Sequence, residues 1–315
     1  METYIGVVTR GINNIYSVIP VAELSTLAPE KMYSCRIKGK VLQGVAESYS
    51  PLAVGDRVEF TVHHDREGLI TRRLERQNSF DRWNAKRQTN QTLVANMDLI
   101  VIIASSDNPP FRPRFIDRAM VCSAQVPLLL VLNKCDLPMR QDMIERFEHY
   151  KTLGYATFAM SAFDNQGIEL LRGRLKGKTV ALIGQSGVGK STIVNALLGD
   201  EEVQKVGKIS RKYQRGRHTT NHALMLNLGD SIIVDTPGMR ELLVSHSDPV
   251  LIGDAFPEFR KPSKECLFQP CLHYHEPDCQ VKKEVEKGLI HADRYESYLR
   301  IIDSITERPK EWEMG

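Results

Sequence analysis

NKCD, residues 133–136, stands upstream of GQSGVGKS, residues 184–191, and the order of these two stretches decides how the fold is read. The second is a complete G-x-x-x-x-G-K-[ST] pattern. An apolar run, TVALI, enters it, and KSTIVNALLG leaves it with helical character. Glycines suit such a loop because successive backbone N–H groups must turn inward and approach phosphate oxygens closely. The cradle is read over Gly184, Gln185, Ser186, Gly187, Val188, Gly189, Lys190, Ser191 and Thr192. Lys190 is expected on the β and γ phosphates and the Ser191 hydroxyl on Mg²⁺, with the positive end of the helix behind them.

NKCD ends the apolar run PLLLVLNK. A carboxylate such as Asp136 can accept two hydrogen bonds from guanine, at its ring N–H and exocyclic amine, a pair adenine does not offer. Asn133 is expected to brace the loop, and the stem of Lys134 to lie over the base. Cys135 fills the free slot of the motif and is assigned no chemistry. Ser161-Ala162, after the strand-like YATFAM, is placed to give a backbone N–H to the guanine oxygen. Downstream, Asp235-Thr-Pro-Gly238 follows SIIVD. There Asp235 is expected to hold the metal through water, and the Gly238 N–H to sense the γ-phosphate.

The motif order is therefore base reader, Ser-Ala, phosphate loop, DTPG. A parallel α/β sheet can be cut in one loop and rejoined at its old ends, and its ligands still bind at the carboxyl ends of the strands. The central domain is read as a circularly permuted α/β P-loop domain over residues 93–244. LIVIIAS (99–105), PLLLVLNK and YATFAMS alternate with helical stretches, as a parallel sheet requires.

Before it, residues 1–72 break into five short β-rich segments (YIGVVTR, NIYSVIP, YSCRIKGKV, DRVEFTVH and GLITRRL), the texture of a small OB-fold barrel. Residues 73–92 are polar and basic around Trp83 and are read as a linker. After it, residues 245–315 read as helices around a Cys/His knot. The whole is a multidomain chain.

The 315 residues carry a formal charge of +3, but the positive charge is concentrated. Residues 203–222 hold six Lys or Arg and no acid, and residues 71–90 hold six basic residues against two acidic ones. The first seventy residues are about neutral. Such basic segments suit a polyanion, whose counterions are released on binding, or are solvated loops. No apolar window approaches a membrane span and the N-terminus lacks a secretory pattern, so a cytoplasmic protein without membrane contact is expected.

Six cysteines in 315 residues do not make a disulfide scaffold. Cys266-x4-Cys271-x-His273-x5-Cys279 offers three thiolates and an imidazole, a tetrahedral set suited to Zn²⁺. His275 competes with His273, since both face one way in an extended segment. The alternative is three buried, unligated cysteines.

Hydrolysis needs a group to orient water. Where many GTPases have a glutamine after the DxxG glycine, this chain has Met239. The nearest alternative is His218 in GRHTT; Thr219 or Thr220 is expected to complete the Mg²⁺ shell. A loop histidine contacting RNA phosphate is the competing reading of His218.

Taken together, ANMDLIVIIAS, NKCDLP, GQSGVGKST, GRHTT, DTPGMREL, CLFQPCLHYHEPDC and DRYESYL resemble the circularly permuted GTPases of the RsgA (YjeQ) type, nearly end to end. The resemblance implies GTP hydrolysis stimulated by the small ribosomal subunit, a role in its late maturation, and release when that is complete. It implies rRNA contact through barrel, basic segments and zinc domain, and a monomer binding GTP or GDP. It points to His218 as the catalytic histidine and selects His273 for structural zinc.

Overall fold

The structure, a computed structural model, describes residues 2–39, 50–123, 125–199 and 223–308. Five strands, β1 (Thr3–Ile12), β2 (Ile15–Pro20), β3 (Tyr33–Ile37), β4 (Arg57–Val62) and β5 (Glu67–Arg73), close into a barrel of order β1-β2-β3-β5-β4. β3 and β5 pair in parallel and the other neighbours antiparallel. This is the Greek-key closure of an OB-fold. Val8, Tyr16, Val18, Cys35, Val58, Phe60 and Ile70 fill its interior.

The segment expected to be a linker is instead ordered. β6 (Ser79–Asn84) and β7 (Thr89–Ala95) form an antiparallel hairpin. Arg76 ties this region to the barrel: its Nε and Nη2 donate to the buried Asp56 at 2.6 and 2.8 Å, and its Nη1 donates to Thr92 at 2.7 Å. The Ala95 N–H donates to the Val54 carbonyl at 2.9 Å. The Trp83 N–H donates to Leu243 O, also at 2.9 Å, which binds the hairpin to the chain beyond DTPG. Polar composition hid the hairpin because only Phe80, Val94 and Ala95 are fully buried in it.

The central sheet has the order β10-β9-β8-β11-β13-β12. Its strands are β8 (Leu99–Ser105), β9 (Leu128–Asn133), β10 (Ala156–Ala159), β11 (Thr179–Gly184), β12 (Leu224–Asn227) and β13 (Ile232–Asp235). All pairs are parallel except β12–β13. β8 is buried along its whole length, which explains its unbroken apolar run. From β8 the chain winds outward through β9 and β10, then returns to β11 on the other side of β8. The topological switch lies between β8 and β11, where a parallel sheet opens its ligand crevice. Helices α1 (Pro113–Cys122), α2 (Gln141–Thr152), α3 (Ile168–Leu175) and α4 (Lys190–Leu198) cover its faces.

The C-terminal unit comprises α5 (Pro249–Asp254), two 3-10 turns, α6 (Gln280–Glu286) and α7 (Ala292–Thr306). α7 packs on α1, with Tyr298, Ile301 and Ile302 buried. At this junction the fully buried Asp117 accepts from Arg146 Nη2 at 3.0 Å, Arg294 Nη1 at 2.7 Å and the Tyr150 hydroxyl at 2.7 Å. Among the described residues no helix is long and apolar enough to cross a membrane.

Candidate functional site

The expected nucleotide motifs sit where β9, β10, β11 and β13 end, on one edge of the sheet. Gly189, the last glycine of the loop after β11, adopts φ +95°, and a Cβ there would collide with Asn133 Nδ2. Glycine is thus required for conformation and for space. It opens α4, where Lys190 begins the helix.

Asn133 joins two motifs that are far apart in sequence. Its Nδ2 donates to Val188 O at 2.9 Å, and its Oδ1 accepts the Ala162 N–H at 3.0 Å. Asp136 is exposed, and its Oδ1 accepts the Ser161 hydroxyl at 2.6 Å. The Ser161 N–H donates to Gln166 O at 3.1 Å. Both N–H groups of the pair expected to offer one to a guanine oxygen therefore have protein acceptors. In this structure Ser161 and Ala162 position Asp136 and Asn133.

Lys134 holds a left-handed φ of +65°, and its ammonium donates to Asn108 O. Ser106 Oγ donates to Lys134 O at 2.6 Å. The loop after β8 is thus part of the site, although its sequence, SSDNPP, matches no nucleotide motif. Its position at the topological switch point is the signal that finds it.

Lys190 is buried, and its Nζ donates to the carbonyls of Gly184 and Gln185 at 2.7 and 2.9 Å. Burial draws its pKa down to about 8, with Asp235 opposing the shift. Burial raises the Asp235 carboxyl in turn, with Lys190 opposing. The DTPG segment lies directly against the phosphate loop. Met239 N–H donates to Gly184 O at 3.2 Å, and Ser186 N–H donates to Met239 O at 3.3 Å. A Cβ on Gly238 would stand 2.8 Å from the Ser186 Cα, so only glycine permits this approach. Ser191 and Thr192 lie exposed at the start of α4. His218, Thr219 and Thr220 fall outside the described residues, as does the whole basic segment 203–222.

The structure also brings Cys266, Cys271, His273 and Cys279 together, with their four ligand atoms within 4.8 Å of one another. Cys266 Sγ stands 3.9 Å from Cys279 Sγ and 3.7 Å from His273 Nδ1, which is 3.3 Å from Cys279 Sγ. Tetrahedral zinc with Zn–S of about 2.3 Å and Zn–N of about 2.0 Å needs S···S near 3.8 Å and S···N near 3.5 Å. The donor set and its spacing fit. His275 is exposed and lies against the Tyr274 ring at a tilt, outside the cluster. The reversal between the two histidines comes from His273, whose φ of +53° breaks the extended geometry that would have aligned them. Around the cluster, the Tyr295 hydroxyl donates to His273 O at 2.7 Å, and Glu276 accepts from the N–H groups of Leu272 and Tyr274.

A family model described as RsgA GTPase matches residues 73–245. The small ribosomal subunit biogenesis GTPase RsgA of Borreliella burgdorferi is 37% identical over 298 residues, covering 94% of each chain. Its counterpart from Chlorobaculum tepidum is 39% identical over 319 residues, covering 97% of this chain and 99% of its own. Among solved structures, YjeQ from Thermotoga maritima superposes with a TM-score of 0.69 at 27% identity, over 98% of this chain and 100% of its own. YloQ, described as a circularly permuted GTPase, gives 0.66 at 26% identity over 98% and 97%. With NKCD, the phosphate loop and DTPG meeting on one permuted sheet between an OB barrel and a Cys/His cluster, the chain belongs to the RsgA GTPase family.

Proposed function

We propose that this protein binds guanine nucleotide, hydrolyses GTP to GDP and phosphate, and acts in the cytoplasm, as a monomer, on the late maturation of the small ribosomal subunit. The observation that carries the reading is Asn133, which bridges the base-reading loop to the phosphate loop through Val188 O. The relatives' names place them in small-subunit biogenesis, and both the OB barrel and a metal-pinned Cys/His module are common in RNA-binding proteins.

In this reading Asp136 takes the ring N–H and exocyclic amine of guanine, held in place by Ser161. The Lys134 stem covers the base. The N–H groups of Gly184–Thr192 cradle the phosphates, and Lys190 exchanges two carbonyl acceptors for the β and γ oxygens. Ser191, Asp235 through water, and Thr219 or Thr220 would hold Mg²⁺, which neutralises phosphate charge when bound. Gly238 responds to the γ-phosphate. His218 orients the attacking water when the subunit's rRNA is bound, which makes turnover dependent on the subunit. Cys266, Cys271, His273 and Cys279 hold Zn²⁺ in a closed, structural site.

GTP turnover measured with and without purified small subunits tests the reading, and equal rates would reject it. Lys190→Ala separates it from an RNA chaperone indifferent to nucleotide. In that alternative the variant still supports subunit maturation.

A further inference from the structure

Beside the phosphate loop, on the face between α1 and the chain following DTPG, lies an open cleft of about 700 Å³. Arg112, Arg114, Arg118 and Arg240 line it, with Glu241 and Asp293 as its acids. Two of these six charges are already committed: Arg114 pairs with Glu296 at 2.9 Å and Asp293 with Arg146 at 3.0 Å. Among the described residues, no carboxylate forms an ion pair with Arg112, Arg118 or Arg240. Three guanidinium groups therefore share the cleft with one acid, Glu241.

The surroundings increase that imbalance. α1 starts at Pro113 with no side chain capping its N-terminus, so the positive end of its dipole adds to the potential there. Arg118 is half-buried; burial disfavours its charge, Arg300 and Arg114 repel it, and Glu241 attracts it. Concentrating like charges in a cleft is unfavourable unless an anion completes it.

Shape and position identify the anion. Guanidinium forks match phosphate oxygens in geometry as well as charge. A pocket for a small phosphorylated ligand would bury most of the ligand, whereas this cleft is open on one side. Further basic residues, Arg82, Lys86 and Arg87, lie on the β6–β7 hairpin. That hairpin is joined to Leu243 and Val244, a few residues beyond Arg240. Basic residues thus lie beyond the cleft itself, an arrangement that suits a nucleic-acid backbone.

We infer that the cleft formed by Arg112, Arg118 and Arg240 is a binding site for the phosphodiester backbone of RNA, set against the nucleotide-sensing loop. The inference rests on the proposed function, and it adds a route for coupling. Arg240 directly follows Met239, whose N–H and C=O bond Gly184 and Ser186 of the phosphate loop. A phosphate drawn between Arg240 and the N-terminus of α1 fixes the DTPG segment from outside. RNA contact is thereby transmitted to the loop that carries Gly238.

The test uses the full chain with both exposed arginines changed, Arg112→Gln/Arg240→Gln, beside Arg112→Lys/Arg240→Lys. Binding to purified small subunits is measured across a salt series, together with GTP turnover with and without subunits. The expected result for the Gln pair is wild-type turnover alone, binding at least about tenfold weaker, and a log–log salt slope shallower by roughly 1.5. Subunit-stimulated turnover falls with binding. The Lys pair recovers the slope, because it keeps the charges, which loss of fold would not allow. An unchanged slope and stimulation in the Gln pair, with the wild type stimulated, overturns the inference and leaves the proposed function standing. A wild type that neither binds nor responds to subunits removes both. Pyrophosphate binding lost in the Gln pair while subunit binding persists would give the cleft to a small phosphate ligand, which also overturns it.

Discussion

Arg294→Ala should destabilise the C-terminal unit and its junction with the nucleotide-binding domain without disturbing the barrel. The Arg294 side chain is 1% exposed and makes three charge-assisted hydrogen bonds. Nε and Nη2 donate to Glu258 at 2.7 and 3.1 Å, and Nη1 donates to Asp117 at 2.7 Å. Its guanidinium carbon lies 4.4 Å above the Phe256 ring. Once it is removed, Asp117 keeps Arg146 and the Tyr150 hydroxyl. Glu258, whose side chain is 7% exposed, loses both of these bonds and its cation. Stranding one member of a buried pair costs about 3–5 kcal/mol. We expect about 4 kcal/mol, which corresponds to roughly a thousandfold in an opening equilibrium. Hydrogen exchange read by segment is the suitable assay, because a chain of several domains has no single unfolding free energy. Protection should fall across residues 249–306 and at α1, and stay unchanged in β1–β5. Arg294→Met, which keeps most of the packing volume, should lose nearly as much. A loss below about 1 kcal/mol, or one spread evenly into the barrel, would refute the view that this network stabilises the C-terminal unit and its junction with α1.

Nucleotide affinity should depend on pH through Lys190, whose pKa burial lowers to about 8. Below that pH the lysine is charged in the free and bound protein alike. Above it the free protein is neutral and the phosphates must restore the proton, so affinity falls by up to about tenfold per pH unit. Equilibrium dialysis with GDP from pH 7 to 9 checks this against Lys190→Arg, which cannot deprotonate and should lack the excess slope. Asp136→Asn removes the carboxylate that reads guanine and should weaken GDP binding roughly 10–100-fold. The same change should favour xanthosine diphosphate, whose ring carbonyl accepts where guanine's amine donates; isothermal titration with both ligands decides. Metal analysis of freshly purified protein should give one zinc per chain. Cys279→Ala should lose it, with melting of residues 262–290 seen by exchange, since a small closed site stabilises the segment around it.

The sequence was most informative where the chemistry is local. GQSGVGKS, NKCD and DTPG each sit where a buried strand meets a loop, and the backbone needs that fix their residues are met within a few positions. The permuted order was legible for the same reason: a parallel sheet places strand ends on one edge whatever the chain order. The donor set Cys266, Cys271, His273 and Cys279 was legible as chemistry, but its histidine was not fixed by spacing alone, because a turn at His273 breaks the alternation that made His275 its equal. Residues 73–92 looked like a linker because the hairpin that begins within them is held by partners from other segments and needs few apolar residues of its own.

The remaining features depend on contacts between residues far apart in the chain. Asn108 joins the site through Lys134 because β8 lies beside β9. The Ala162 N–H turns to Asn133 rather than outward because β9 and β10 are neighbours. Asp117 meets Arg294, and Arg112 and Arg118 meet Arg240, only when α1, α7 and the chain after DTPG come together. By itself the sequence picked out the candidate groups for a guanine nucleotide and a metal. Tertiary structure decided which charges are paired and which are left facing a cleft, because pairing depends on distances that no local pattern encodes.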